Sequence, residues 1–171
     1  MVNTSYVVEP LGNKHGRAAF VCGIAALDDY LKHRASQEVK RDVARVFVLT
    51  QQHSLAILGY YTLSATSITP DGLPQEVVKR LPRYPSLPAL LIGRLAVDQH
   101  YQGQGMGRRL LLSALRRSLN LRSELGFIAV IVDAKDDAAR TFYERYDFHL
   151  FVDNPYRLYI PMGTIAQIFP T

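Results

Sequence analysis

Three glycines alternate in the run Gln102-Gly103-Gln104-Gly105-Met106-Gly107-Arg108. They stand between an apolar stretch, Ala89 to Val97, and a helical pattern carried by Met106, Leu110, Leu111, Ala114, Leu115 and Leu119. The first amides of a helix have no intrahelical acceptor, and glycine lets the main chain take positive φ and come close to a bulky ligand. A strand, a glycine turn and a helix start therefore predict a cradle for a phosphate or pyrophosphate. Two nucleotide signatures are excluded. No Gly-Lys-Ser or Gly-Lys-Thr occurs, so there is no P-loop, and a dinucleotide fingerprint begun at Gly103 would need glycine where Arg108 stands. The pattern that fits is Q-x-x-G-x-G, from Gln102 through Gly105 to Gly107.

A proton donor is available further along, in Asp136-Asp137-Ala138-Ala139-Arg140-Thr141-Phe142-Tyr143-Glu144-Arg145-Tyr146-Asp147-Phe148. A phenol of pKa about 10 is protonated at neutral pH and can serve as a general acid without any shift. Spacing alone leaves Tyr143 and Tyr146 as competitors, with a plain core aromatic as the simpler role. A strong base is harder to find. The five histidines are scattered, and none pairs with Cys22 or a serine in triad or zinc spacing, so no metal site is expected. At pH 7 a lysine is neutral only about 0.04% of the time and an α-amine roughly 10%. A site without a strong base thus favours an α-amine acceptor: an aminoacyl ester, a protein N-terminus or an aminoglycoside.

The elements that must position these groups follow from periodicity. Tyr6 to Glu9 reads as a short strand. Ile24, Leu27, Leu31 and Ala35 mark a helix with Tyr30 and Arg34 beside its apolar face. Val43 to Thr50 and Leu55 to Ala65 read as an antiparallel strand pair. Five prolines between Pro70 and Pro88 exclude a central strand there, although Pro74 could open a short helix through Leu81. Next come a strand from Ala89 to Val97, a helix from Gly105 to Leu125, a buried strand from Phe127 to Asp133 and a helix from Asp137. Strands over Phe148 to Val152 and Arg157 to Ile160 and a helix over Met162 to Ile168 close the chain. The succession predicts one α/β domain over residues 1–171 with a mixed sheet.

Here the chain resembles the GNAT acyltransferases, whose acyl-CoA pyrophosphate sits in such a turn. Their last motif, roughly N-x-x-A-x-x-F-Y-x-x-x-G-F, is matched by Ala139, Phe142, Tyr143 and Phe148. Asp136 stands in place of asparagine and Asp147 in place of glycine. A left-handed residue at 147 is tolerable, since aspartate accepts that conformation better than most. The resemblance implies the GNAT fold, a central mixed, mostly antiparallel sheet flanked by helices, and acetyl-CoA as co-substrate. It implies donor contacts from Leu95, Ala96, Val97, Gln102, Gly103, Gln104, Gly105, Met106, Gly107, Arg108, Asp136, Ala139 and Phe142, with Tyr143 as the general acid.

A narrower resemblance runs through F-V-C-G-I-A-A-L-D-D-Y-L (Phe20 to Leu31), R-V-F-V-L (Arg45 to Leu49), G-Y-Y-T-L-S (Gly59 to Ser64) and G-R-L-A-V-D (Gly93 to Asp98). Together these look like the tRNA-acetylating toxins of bacterial toxin–antitoxin modules. That implies acetyl transfer to the α-amino group of aminoacyl-tRNA, a block on translation and a ribbon–helix–helix antitoxin partner; dimers occur in the family. The alternatives are a GNAT enzyme for a small amine or protein N-terminus, and an inactive CoA-fold binding module.

Charge fits a polyanionic substrate. The net charge is +5, with 15 Arg against 5 Lys, and the guanidinium fork suits phosphate. Candidate tRNA contacts are Arg34, Arg80, Arg83 and Arg94. Arg94 is the sharpest, because a charge in an apolar strand needs a partner, either RNA phosphate or an acid such as Asp98 or Asp133. Arg109, Arg116 and Arg117 are read as a solvated helix face. The single cysteine and the lack of a signal peptide or a membrane-length apolar run of ~20 residues predict a cytoplasmic protein with no membrane association. The sequon Asn3-Thr4-Ser5 is read as chance.

Overall fold

The computed structural model describes residues 5–170, so the sequon at Asn3 lies outside the described residues. The strands are β1 (Tyr6–Pro10), β2 (Arg45–Gln51), β3 (Gly59–Ile68), β4 (Leu87–Val97), β5 (Ala129–Asp133), β6 (His149–Phe151) and β7 (Asn154–Pro161). The helices are α1 (Ala25–Asp29), α2 (Ala35–Lys40), α3 (Gln75–Val78), α4 (Met106–Leu121), α5 (Asp137–Glu144) and α6 (Met162–Ile168). A seven-stranded sheet runs in the order β1-β2-β3-β4-β5-β7-β6. Strands β4 and β5 pair in parallel, whereas β1–β2, β2–β3, β5–β7 and β6–β7 pair antiparallel, so the sheet is mixed and mostly antiparallel, as expected.

The described chain forms two compact units. The first takes in residues up to Ser64 together with Gly93–Ala114. Its β2 and β3 pair antiparallel, with Phe47 opposite Tyr61 and Val48 opposite Tyr60. Phe20, Tyr30, Leu31, Val46, Val48 and Tyr60 are among its buried cluster, which also holds Ala96 from β4. The expected single helix from Ile24 to Ala35 is instead α1, a π-helical turn over Tyr30–Arg34, and α2. The wider turn buries both Tyr30 and Leu31. Gly59 fixes the approach of β3 to β4 and α4: a Cβ there would lie 2.8 Å from both the Ala96 carbonyl oxygen and Leu110 Cδ1.

The second unit comprises Ala65–Ile92 and the described residues from Leu115 onward. Leu90, Leu91 and Ile92 of β4 lie opposite Val130, Ile131 and Val132 of β5, and β5 pairs antiparallel with β7. The core includes Ile68, Leu87, Ala89, Ile131, Phe151 and Tyr159. Several boundaries differ from expectation, among them β5, which begins at Ala129 rather than Phe127, and β7, which spans Asn154–Pro161 rather than Arg157 to Ile160. Strand β4 begins at Leu87 and so includes Pro88, which sits at the strand's second residue and is exposed, where its missing N–H is tolerated. Helix α4 gives way to turns after Leu121 rather than running to Leu125. Asp147 does take the left-handed conformation, at φ 67°.

Candidate active site

The glycine turn lies in the first unit. Gly103 and Gly105 have φ of 79° and 82°, and a Cβ added to either would meet nothing within 4 Å, so the space beside both is open. Gly107 lies within α4. Beyond the turn, the Arg109 amide donates to the Gly105 carbonyl at 3.2 Å. The amides of Met106, Gly107 and Arg108 thus emerge at the helix end with no intrahelical acceptor. Arg108 is exposed. A cavity of about 570 Å³ opens beside the turn, lined in part by Tyr6, Val8, Gln104, Arg108 and Arg109.

Side chains of the turn lock it in place. The Gln102 amide nitrogen donates to the carbonyls of Val97 (2.9 Å) and Cys22 (3.0 Å). Gln104 donates to the His100 carbonyl at 3.2 Å. Asp98, buried, accepts from the Val21 amide at 3.1 Å and the His100 amide at 2.9 Å. Burial alone would raise the Asp98 pKa, but the His100 and Val21 amides and the His100 ring outweigh it and hold the carboxyl below its ordinary value. The Val21 carbonyl accepts from Gln99, and the Cys22 amide donates to Asp28. Residues 21 and 22 are therefore tied through all four backbone polar groups, three of them to residues 98–102.

Leu95, Ala96 and Val97 form the end of β4, with Ala96 buried. Arg94, one position earlier, makes neither of the ion pairs considered for it. Its guanidinium carbon lies 3.6 Å from the centroid of the Tyr30 ring. Arg34 is exposed on the π-helical turn. Arg109 leans over the Tyr6 ring at 4.5 Å, so it is less a freely solvated residue than its helical position suggests.

The second unit carries the other candidates. Asp136 caps α5, its carboxylate accepting from the Ala139 amide at 2.8 Å. An aspartate does this as well as the asparagine it replaces. Tyr143 is buried, between Phe142 at 5.2 Å and Phe148 at 5.4 Å between ring centroids. Burial raises its phenol pKa well above the ordinary value, so it stays protonated. Its hydroxyl forms no hydrogen bond with another described residue. The competitor Tyr146, in the turn that follows α5, packs on Phe142 at 5.2 Å between ring centroids. Arg80 and Arg83 are exposed, beside the exposed Tyr84, and pair with no acid among the described residues. Arg116 lies over Phe169 at 5.1 Å.

Sequence reasoning did not single out Asp98, Gln102's side chain, Tyr30 or Gly59 for these roles. Asp98 and Gln102 carry a local signal, polar residues just past an apolar strand. The others act through contacts distant in sequence. Among the described residues, no group of three His, Cys, Asp or Glu is placed to hold a metal ion.

An open glycine turn at a helix start, directly after a strand, is a place for a phosphate-bearing ligand. The acetyltransferase (GNAT) domain family matches residues 42–150, and the chain belongs to that family. It is 32% identical over 170 residues to the probable toxin TacT of Sinorhizobium fredii, covering 95% of this chain and 94% of the relative. It is 33% identical over 144 residues to the tRNA-acetylating toxin of Mycobacterium tuberculosis, covering 84% of each. Among solved structures, AtaT complexed with acetyl-methionyl-tRNAfMet shares 27% identity at TM-score 0.89, covering 97% of this chain and 100% of that one. An AtaT mutant bound to the C-terminus of the antitoxin AtaR and acetyl-CoA shares 25% identity at TM-score 0.81, covering 97% and 99%.

Proposed function

We propose that the protein is a toxin that transfers acetyl from acetyl-CoA to the α-amino group of aminoacyl-tRNA and so blocks translation. The observation that carries this reading is the donor turn, open over Gly103 and Gly105 with free amides from Met106 to Arg108, in a chain related over 84% of its length to a tRNA-acetylating toxin. Acetyl-CoA fits that turn: a pyrophosphate needs converging N–H donors and room above the main chain, and both are present. When bound, it supplies the acetyl thioester.

The chain's own residues supply the rest. The amides of residues 103–108 hold the pyrophosphate, and the backbone of Leu95 to Val97 aligns the thioester and offers a donor for the oxyanion. Asp136, Ala139 and Phe142 are assigned to the donor as well, Asp136 by fixing the start of α5. The amine nitrogen attacks the thioester carbonyl, the C–S bond breaks, and the thiolate takes the Tyr143 proton while the amine's proton leaves to solvent. Arg34, Arg80, Arg83 and Arg94 are assigned to RNA phosphates. Residues 1–171 are read as one domain, because the family match runs through segments of both units.

A cytoplasmic location and an antitoxin partner of the ribbon–helix–helix kind belong to the same reading, as does a homodimer. No described helix is long and apolar enough to cross a membrane. The test is incubation of bulk charged tRNA with labelled acetyl-CoA and identification of the acylated residue. Acetylated aminoacyl-tRNA, with activity falling steeply as salt rises, supports the reading. Labelling confined to small amines, indifferent to salt, sinks it.

A further inference from the structure

We propose that Arg94 is a preset fork for a phosphate of the acceptor RNA and that Tyr30 is the residue that positions it. This rests on the aminoacyl-tRNA reading above. The platform under Arg94 is rigid. Tyr30 is 1% exposed, and its ring is backed by Tyr60 at 6.1 Å with 17° between planes. The Tyr30 hydroxyl donates to Glu38 at 3.0 Å, and the Tyr60 hydroxyl to the Leu27 carbonyl at 2.6 Å. Burial, the first cause, together with Glu38 pushes the Tyr30 phenol up to about 12, so at neutral pH it offers Arg94 a π-face and no negative charge.

The Arg94 side chain is half-buried and forms no hydrogen bond or ion pair with any other described residue. The acids that could have neutralised it are engaged: Asp98 with Val21 and His100, Asp28 with Cys22, Glu38 with Tyr30. A stacked guanidinium has one face satisfied and keeps its in-plane N–H groups, the edge that meets two phosphate oxygens at once. An arginine held this way is in place before any anion arrives.

The position points to acceptor rather than donor phosphate. Strand side chains alternate, so residues 94 and 96 share a face of β4, and Ala96 packs in the same cluster as Tyr30. The donor's phosphates are assigned to the turn at residues 103–108. The charge of Arg34 also lowers the Tyr30 phenol pKa, so a second cation lies within electrostatic reach of the same ring. Two arginines without acid partners beside one aromatic platform suit a phosphodiester chain.

The test compares variants of the whole protein in steady-state acetylation of charged tRNA, with acetyl-CoA affinity measured separately by calorimetry. Arg94→Gln raises the KM for charged tRNA about 10- to 100-fold, the range for losing a charged hydrogen-bonded pair. It also lowers the slope of log KM against log salt by ~0.7–0.9, one phosphate contact. Acetyl-CoA affinity is unchanged. Arg94→Lys keeps the salt slope but recovers only part of the affinity, because the fork is lost. Tyr30→Leu raises the tRNA KM in the same direction, Tyr30→Phe restores it, and adding Tyr30→Leu to Arg94→Gln costs nothing more.

An unchanged tRNA KM and salt slope in Arg94→Gln overturns the proposal, and so does a loss confined to acetyl-CoA affinity, which would give the fork to the donor. Additive losses in the double variant would overturn the role of Tyr30 alone. A wild-type protein that acetylates no charged tRNA overturns the function itself. That outcome is read before any variant is made.

Discussion

Replacing Tyr143 by phenylalanine removes one oxygen atom from the site and little else. The ring stays between Phe142 and Phe148, and the lost hydroxyl has no hydrogen-bond partner among the described residues. Stability should therefore stay within about 1 kcal/mol of wild type, since no buried partner is orphaned. Loss of a general acid lowers the rate by ~10²–10⁴, about 2.7–5.5 kcal/mol of barrier at 1.36 kcal/mol per decade. Acetyl-CoA affinity should hold, because the pyrophosphate donors are backbone amides elsewhere. The assay is kcat on charged tRNA with pre-formed acetyl-CoA complex, beside a thermal melt. The pH profile adds a second check. An acid must keep its proton, and burial raises the Tyr143 pKa, so wild-type activity should climb as the acceptor amine deprotonates near pH ~8 and show no fall from the phenol below pH ~10. Tyr143→Phe should keep the rising limb at a lower level. A variant that folds and retains kcat within about fivefold would refute the acid role, because a true acid contributes at least ~10².

Three further outcomes are expected. Gly105→Ala should weaken acetyl-CoA binding and destabilise by roughly 1–2 kcal/mol through the left-handed backbone alone, since an added Cβ meets nothing within 4 Å; calorimetry and a melt check both. Gly59→Ala should be worse for stability, about 1–3 kcal/mol, because its Cβ would press on the Ala96 carbonyl and Leu110; denaturant unfolding showing no change would contradict the packing described. Asp98, with its pKa held below normal, contributes stability that is fully present above pH ~4 and is lost as pH falls through the lower folded value; Asp98→Asn should flatten that acid limb and loosen the turn, raising the acetyl-CoA Kd.

Local chemistry made much of this protein legible in its sequence. The strand–glycine–helix order, the two signatures it fails and the Ala139-Phe142-Tyr143-Phe148 pattern sufficed for the family, and with it the sheet. Asp147 in a left-handed conformation and antiparallel β2 and β3 were likewise readable, because turn chemistry and alternation are properties of neighbouring residues. Arg94 was not. Sequence could say that a charge in an apolar strand needs a partner, and it offered Asp98, Asp133 or RNA. Tertiary structure replaced the acids with the face of Tyr30, far away in the chain. The same holds for Gln102, whose side chain spans from Val97 to Cys22, and for Gly59, whose need for hydrogen in place of a methyl exists only because β4 and α4 close on it. Residue types fix what chemistry is available, and packing across long sequence separations decides which atoms are left free to perform it.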